Sequence, residues 1–550
     1  MRNTIILRLT CLLVFVINLN TICASTTYFF YIQFTDKNNT PYTLDNPSDF
    51  LSERALQRRQ YFQIECDSTD LPVNPNYIEE VRLKGFKIHN ITKWMNGITV
   101  STKDSSSVNS LNSLTFVENT EYTGKRADRT RNVKKSTATL SEFFTNDIQY
   151  GSANDQIEQI KGKYLHSLGY TGQDIYIAVL DGGFSNVNTS SAYNLLFLQN
   201  RLLGTKDFVD ENSDVYAEHY HGAYVLSTMA SYIPGTYVGT APDASYWLIR
   251  TEDTNSEYPV EMDFWISGIE FADSVGADVV NSSLGYTVFN DTTLNLIHAN
   301  LDGETTRISK AAEIASKKGI IVVSAAGNEG GKKWEYIGAP ADAKGIISVG
   351  GVDRNGNSSS FSSYGPSADG RVKPEIVARA SSTAIMQNNT VANSNGTSFA
   401  SPIIAGMMAC FLQAAKDKDE SISLNELFQL VFENASIYHA PTDKMGYGIP
   451  DFEKATRILL NSTGQKVLLP EYANIYTDSM SKILYIHLSP QYNNLGTYLQ
   501  LYSVNGELII QQELSNKNSE ISTASYPAGI YAVRLVTSTG ESISRKILIY

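Results

Sequence analysis

The sequence predicts an α/β protein: a parallel sheet with helices on both faces, preceded by a small α+β module and followed by a small all-β sandwich. Three observations carry this. Between about 146 and 462, apolar runs without polar alternation are separated by helical stretches ended by glycine, the pattern of strands buried on both faces. Residues 25–120 mix strand and helix patterns on a smaller scale, and after 463 the apolar residues alternate in short runs between turn signals. At 550 residues, several domains are expected.

Taken in order, residues 1–24 read as an export signal: Arg2 and Arg8 precede the apolar run Leu12–Ile17, with small residues Ala24 and Ser25 behind it. Cleavage is expected near Ala24; the rival, a lipoprotein signal on Cys23, is disfavoured by Ile22 in front of that cysteine. In the first module, "YFFYIQF" reads as a strand, "PSDFLSERALQRRQ" as a helix capped by Ser48, "IEEVRLKGFKI" as a helix stopped at Gly85 and then a strand, and "GITVST" as another strand. Residues 121–145 carry Lys125, Arg126, Arg129, Arg131, Lys134 and Lys135 without periodicity, which reads as a solvated linker and a processing region.

The central unit, 146–462, supplies buried strands in "DIYIAVLDGGF", "ASYWLIR", "ADVVNSSLG", "IIVVSAAGNEG" and "GIISVGGVD". Helices are expected in "EMDFWISGIEFADSVG", ended by Gly276, and "TTRISKAAEIASKKG", ended by Gly319. No stretch after the signal is expected to be apolar for long enough to span a membrane. The last unit, 463–550, offers "SKILYIHL", "TYLQLYSVNGELIIQQEL" and "GIYAVRLVTSTGESISRKILIY", with Asn505-Gly506 and Gly540 as turns.

Composition narrows the function. The 44 basic and 57 acidic side chains leave a net charge of −13, which argues against nucleic acid as partner. Of four cysteines, Cys11 and Cys23 lie in the signal, so Cys66 and Cys410 remain and are expected to be packing residues.

Asp181 and Asn328 stand at the carboxyl ends of expected strands, where parallel sheets collect working residues. In "NSNGTSFASPIIAG", Ser398 stands between Gly396 and an apolar helical run, with Pro402 expected in the helix's first turn. An alcohol attacks poorly near neutral pH, so it needs a base, an orienter of that base and an anion trap. His221, at the start of "HGAYVLSTM", can serve as base, and the Asp181 carboxylate can hold its tautomer. The Asn328 amide and the Ser398 N–H can face an oxyanion. Each residue alone has a bland reading as cap, turn former or packed polar group. Their joint occurrence at strand ends and helix starts favours chemistry. His219 and His221 alternate as zinc ligands can, but with seven histidines and no HExxH pattern no metal site is expected.

These four blocks, "AVLDGGF", "HGAYVLSTM", "SAAGNEG" and "NGTSFASPIIAG", resemble in kind and order the Asp, His, Asn and Ser blocks of the subtilisin-like serine proteases, or subtilases. The resemblance implies a secreted serine endopeptidase acting on protein or peptide substrates. It implies a first specificity pocket from Ser283, Leu284 and Gly285 with Ala325, Ala326 and Gly327, open to a large apolar side chain. It requires no cofactor for the chemistry and leaves room for structural calcium. Three positions depart from the family pattern: Gly182 for Thr or Ser, Ala223 for Thr, and Tyr224 for a second histidine. The first module resembles a subtilase propeptide, the protein's own inhibitor, with a permanent accessory domain as the alternative. "LYSVNGELI", "YPAGIYAVRLVTSTGES" and "RKILIY", with Lys546, resemble the sorting domain of the type IX secretion system of certain Gram-negative bacteria. That implies export through the periplasm to the cell surface or medium. A carbohydrate- or protein-binding sandwich is the alternative.

Overall fold

The computed structural model describes residues 26–127, 148–418, 422–461, 473–478, 482–488, 496–503, 506–514, 518–537 and 542–549. The expected signal, Arg129, Arg131, Lys134 and Lys135 of the expected linker, and the turn residues Asn505 and Gly540 lie outside them.

The central unit is built on a seven-stranded sheet in the spatial order Ile376–Arg379, Ile347–Val352, Ile321–Ala325, Val279–Ser282, Tyr176–Asp181, Ser245–Arg250, Leu202–Asp207. Every adjacent pair is parallel. The five expected strands form its middle. The two outer ones were not legible in the sequence: Ile376–Arg379 has only four residues, and Leu202–Asp207 is half-exposed at the sheet's edge and lacks an apolar run. Long helices lie on both faces. Val260–Val275 ends at Gly276, whose φ of +84° suits glycine, and Arg307–Lys317 is capped by the Thr306 hydroxyl.

On the other face His221–Ala230 packs beside Thr397–Asp417, a helix buried along nearly its whole length. This last helix corrects the expectation about membrane spans. It is long and apolar enough to cross a bilayer, but 94% of its apolar window is buried within the fold, so it is the central helix of a core.

The first module is a four-stranded antiparallel sheet in the order Lys87–Thr92, Gly97–Thr102, Thr26–Phe34, Val117–Ala127, with helices Glu53–Tyr61 and Pro75–Leu83. Two expectations change here. The first helix is capped by Ser52, whose hydroxyl accepts the Ala55 N–H, whereas Ser48 lies in a preceding 3-10 turn. The last strand runs past 120 to Ala127, so Lys125 and Arg126 stand in a strand rather than in a linker.

The module docks on the two helices Val260–Val275 and Arg307–Lys317. Trp94 enters the core beside Trp265 and Ile266, and Phe29 meets the Phe264 ring edge-on at 6.3 Å. The Glu270 carboxylate accepts the Lys93 and Trp94 N–H groups at 2.7 and 3.0 Å. The fully buried Asp273 pairs with Arg58, Arg59 and Lys93, and Arg59 and Lys318 share Asp70.

The last unit holds a three-stranded and a four-stranded antiparallel sheet. Leu484, Ile486, Leu499, Leu501, Val533 and Leu535 form their common core. Lys546 falls in the strand Ser542–Ile549.

Candidate active site

The sheet delivers Asp181 as the last residue of the strand Tyr176–Asp181, fully buried. His221 begins the adjoining helix, and Nδ1 lies 2.9 Å from each Asp181 oxygen. The approach is that close because residue 222 is glycine: a Cβ there would stand 2.5 Å from the Gly183 carbonyl and 2.9 Å from the Asp181 Cβ. Burial opposes a charged imidazole, but the Asp181 charge and hydrogen bonds outweigh it, and the His221 pKa rises above the usual value.

Ser398 is the second residue of the central helix, entered through Gly396 at φ +147°. Its side chain is nearly buried, and Oγ donates to the Ser283 carbonyl at 3.3 Å. Ser398, His221 and Asn328 line both of two adjoining cavities. Among the described hydrogen bonds the Ser398 N–H has no acceptor, so it is free to face a developing anion at the helix N-terminus. Asn328 follows the turn after strand Ile321–Ala325. Its Oδ1 accepts the Thr397 N–H at 2.9 Å and the Thr397 hydroxyl at 3.2 Å, which leaves the Nδ2 end as donor toward the cleft. Thr397 therefore orients the amide. Nothing in the sequence around Thr397 singles it out for this role, because Asn328 is distant in the chain.

Pro402 is a correction. The helix begins at Thr397, so Pro402 falls in the second turn, and its missing N–H deprives the Ser398 carbonyl of a helical partner. The Ser283 hydroxyl donates to that carbonyl at 2.8 Å instead. Asn281 donates to the Ser283 hydroxyl at 3.1 Å and accepts from Ser401 at 2.8 Å. The nucleophile's backbone is thereby tied to the strand that ends in Ser282.

Of the expected first-pocket residues, Ser283, Leu284, Gly285, Ala325 and Gly327 line a cleft of about 570 Å³. Ala326 does not: it is fully buried among the helix-side core residues, because successive residues of an extended segment face opposite ways. The departures also find their surroundings. A Cβ on residue 182 would meet the Thr254 methyl at 2.6 Å, so Thr254 fills the room that a larger residue would need. The Tyr224 ring lies 4.9 Å from that of Tyr220 on the wall of the second cavity, and the Ala223 carbonyl accepts the Tyr193 hydroxyl at 2.6 Å.

His219 is half-buried on the cleft wall, its ring 6.5 Å from that of His221, and its Nδ1 accepts the His221 N–H at 3.3 Å. Among the described residues no group of three His, Cys, Asp or Glu side chains is placed to hold a metal.

Two cleft residues went unnoticed in the sequence. Glu252 and Glu257 stand in the segment after strand Ser245–Arg250, beside the buried Glu261. Burial, Glu257 and Asp181 push Glu252 up to about 8, and burial pushes Glu257 up to about 7. Their only signal was the acid spacing in "TEDTNSEYPVE", which reads equally as a solvated loop.

The profile described as the subtilase family matches residues 172–448, half of the chain. A peptidase S8 propeptide domain of Bacteroidota matches residues 29–139, and a secretion system C-terminal sorting domain matches 474–550. Subtilisin DY of Bacillus licheniformis is 32% identical over 259 residues, 46% of this chain and 83% of its own length. Subtilisin NAT of Bacillus subtilis subsp. natto is 31% identical over 278 residues, 50% of this chain but 63% of that protein. Among solved structures, the protease domain of PatA is similar at 21% identity with a TM-score of 0.41, over 52% of this chain and 95% of that one. The family profile and the Bacillus relatives agree with the parallel sheet and the ordered Asp, His, Asn and Ser blocks, and the chain belongs to the subtilase family.

Proposed function

We propose that the protein is a secreted serine endopeptidase that cleaves proteins or peptides through an acyl-enzyme. His221 removes the Ser398 proton as Oγ attacks the peptide carbonyl, and Asp181 steadies the imidazolium. The Asn328 amide and the Ser398 N–H hold the oxyanion. His221 then gives the proton to the leaving amine, the C–N bond breaks, and water, deprotonated by the same imidazole, releases the acid. The observation that carries this reading is the 2.9 Å pairing of His221 with Asp181 on the cleft that also holds Ser398 and Asn328. In this reading the Ser398 hydroxyl leaves the Ser283 carbonyl, to which it donates at 3.3 Å, for the imidazole that lines the same cleft.

Ser283, Leu284, Gly285, Ala325 and Gly327 form the first specificity pocket in this reading, and its small residues favour a large apolar side chain. The first module acts as the protein's own inhibitor and is removed within 121–145; structural calcium is compatible with the fold. The last unit directs delivery from the periplasm to the cell surface or medium. Casein hydrolysis and fluorophosphonate labelling of the secreted protein test the central claim. Both are expected in the wild type and absent in Ser398→Ala; equal activity in the two would end the mechanism. N-terminal sequencing of the secreted form tests the removal, and a start near Ser25 would reject it.

A further inference from the structure

The two cavities that meet at Ser398 differ in chemistry. One, of about 590 Å³, is walled by Tyr220, Tyr224, Gln387 and Asn393. The other contains the first specificity pocket, so it receives the acyl side of the substrate, and its lining includes Glu252 and Glu257. Among the described residues neither side chain has an ion pair or a side-chain hydrogen bond. The Glu261 carboxylate behind them is already occupied by the Asp253 and Tyr258 N–H groups at 2.8 and 3.1 Å. Half-buried carboxylates without a counter-charge are costly, and a cation brought by a ligand would relieve the cost.

The cleft is a peptide site on independent grounds, through Ser398 and its anion trap. A second observation concerns the other face of the segment that carries this wall. The strand Val117–Ala127 reaches the same segment: Gly124 packs so close to Tyr258 that a Cβ would stand 2.6 Å from its Cβ. Two residues on, the Arg126 guanidinium lies 3.8 Å from Asp253 and donates to the Val209 carbonyl at 3.2 Å. A cationic side chain of the first module thus sits against this segment on the side of the buried Asp253, which does not line the cleft, and Arg129, Arg131, Lys134 and Lys135 follow it in sequence.

The geometry points to a charge-selective subsite: Glu252 and Glu257 recognise an arginine or lysine on the acyl side of the scissile bond, at P2 to P4. This rests on the peptidase reading and adds to it. An apolar residue fills the first pocket, and a basic one before it selects the substrate; the protein's own basic segment is of that chemical class.

The test uses paired fluorogenic peptides that share an apolar P1 residue and carry, at P2, P3 or P4, either arginine or its neutral isostere citrulline. Hydrolysis and fluorescence-polarisation binding are measured on the secreted protein, and again on Glu252→Gln, Glu257→Gln and the double variant. The wild type is expected to favour arginine at one of these positions by about tenfold or more in both readouts, the scale of one partly buried charge pair. Each single variant should lose part of that ratio, and the double variant should fall to within about twofold. Hydrolysis of the citrulline peptides reports whether each variant is folded. Hydrolysis without preference for arginine overturns the subsite and leaves the peptidase reading standing. Preferential binding without hydrolysis overturns the peptidase reading and keeps charge recognition. A preference that survives in a folded double variant overturns the assignment to these two residues, and the absence of both hydrolysis and preference overturns both proposals.

Discussion

His221 sets the acid limit of the proposed chemistry. Only the neutral imidazole can take the Ser398 proton, and Asp181 holds the His221 pKa above the usual 6.5. Activity should therefore be lost as the pH falls through that raised value, with the acid limb of kcat/KM above 6.5. Asp181→Asn removes the attraction and leaves burial to dominate, so the limb should move to lower pH while kcat falls about 10^4-fold. A pH–rate profile checks both; an unmoved limb would assign the raised pKa to some other group. Asn328 and Thr397 allow a second comparison. Asn328→Ala deletes the amide donor and should cost about 10^2- to 10^3-fold in kcat. Thr397→Val keeps the amide and the backbone N–H that holds its Oδ1 and removes only the hydroxyl shared with the Gly327 carbonyl, so a smaller loss, about tenfold at most, with KM little changed is expected. Steady-state kinetics on a small anilide substrate separate the two.

At the scale of elements, the docking of the first module on the helix Val260–Val275 turns on Asp273. Burial opposes its charge, but Lys93, Arg58 and Arg59 overcome this and hold the carboxyl well below the usual range. Asp273→Asn would leave two buried guanidinium groups facing a neutral amide, at a cost of about 3–5 kcal/mol. The separated module should then bind and inhibit the peptidase unit at least a hundredfold less well, measured as an inhibition constant. An unchanged constant would show that the interface draws its strength from Trp94 and Phe29 instead. None of this interface was legible in the sequence, because Arg58, Asp70, Asp273 and Lys318 meet only after two units have folded. The catalytic elements were more legible, since buried strands advertise themselves by unbroken apolar runs and Gly396, Gly222 and Gly276 mark local backbone needs. The second-turn position of Pro402 escaped because a helix start is fixed by hydrogen bonds from distant partners, here Asn328 and Ser283.

On the scale of the whole molecule, the three units differ in how far they share a core, and that difference decides what each can lose. Alternation and turn signals gave away the last unit, and among the described residues its buried cluster, from Ala473 to Ile549, draws on none of the other two units. The first module is the opposite case. Trp94 is buried in the same core as Trp265 and Ile266, and Phe29 in the same cluster as Val260 and Phe264. Its departure would also leave the buried Glu270 without the Lys93 and Trp94 N–H groups. Deleting residues 473–550 should therefore leave the melting temperature and specific activity of the peptidase unit essentially unchanged while the protein accumulates in the periplasm. Deleting residues 26–127 from the gene should reduce the yield of folded, active protein severely, and adding the module in trans should restore part of it. Fractionation, thermal denaturation and active-site titration distinguish the two deletions. A C-terminal deletion that melts many degrees lower, or an N-terminal deletion that folds normally, would show that the division of the core does not govern folding. The prediction is asymmetric because burial is: a unit that closes its own core can be removed intact, whereas one that completes its neighbour's core cannot leave before that neighbour has folded.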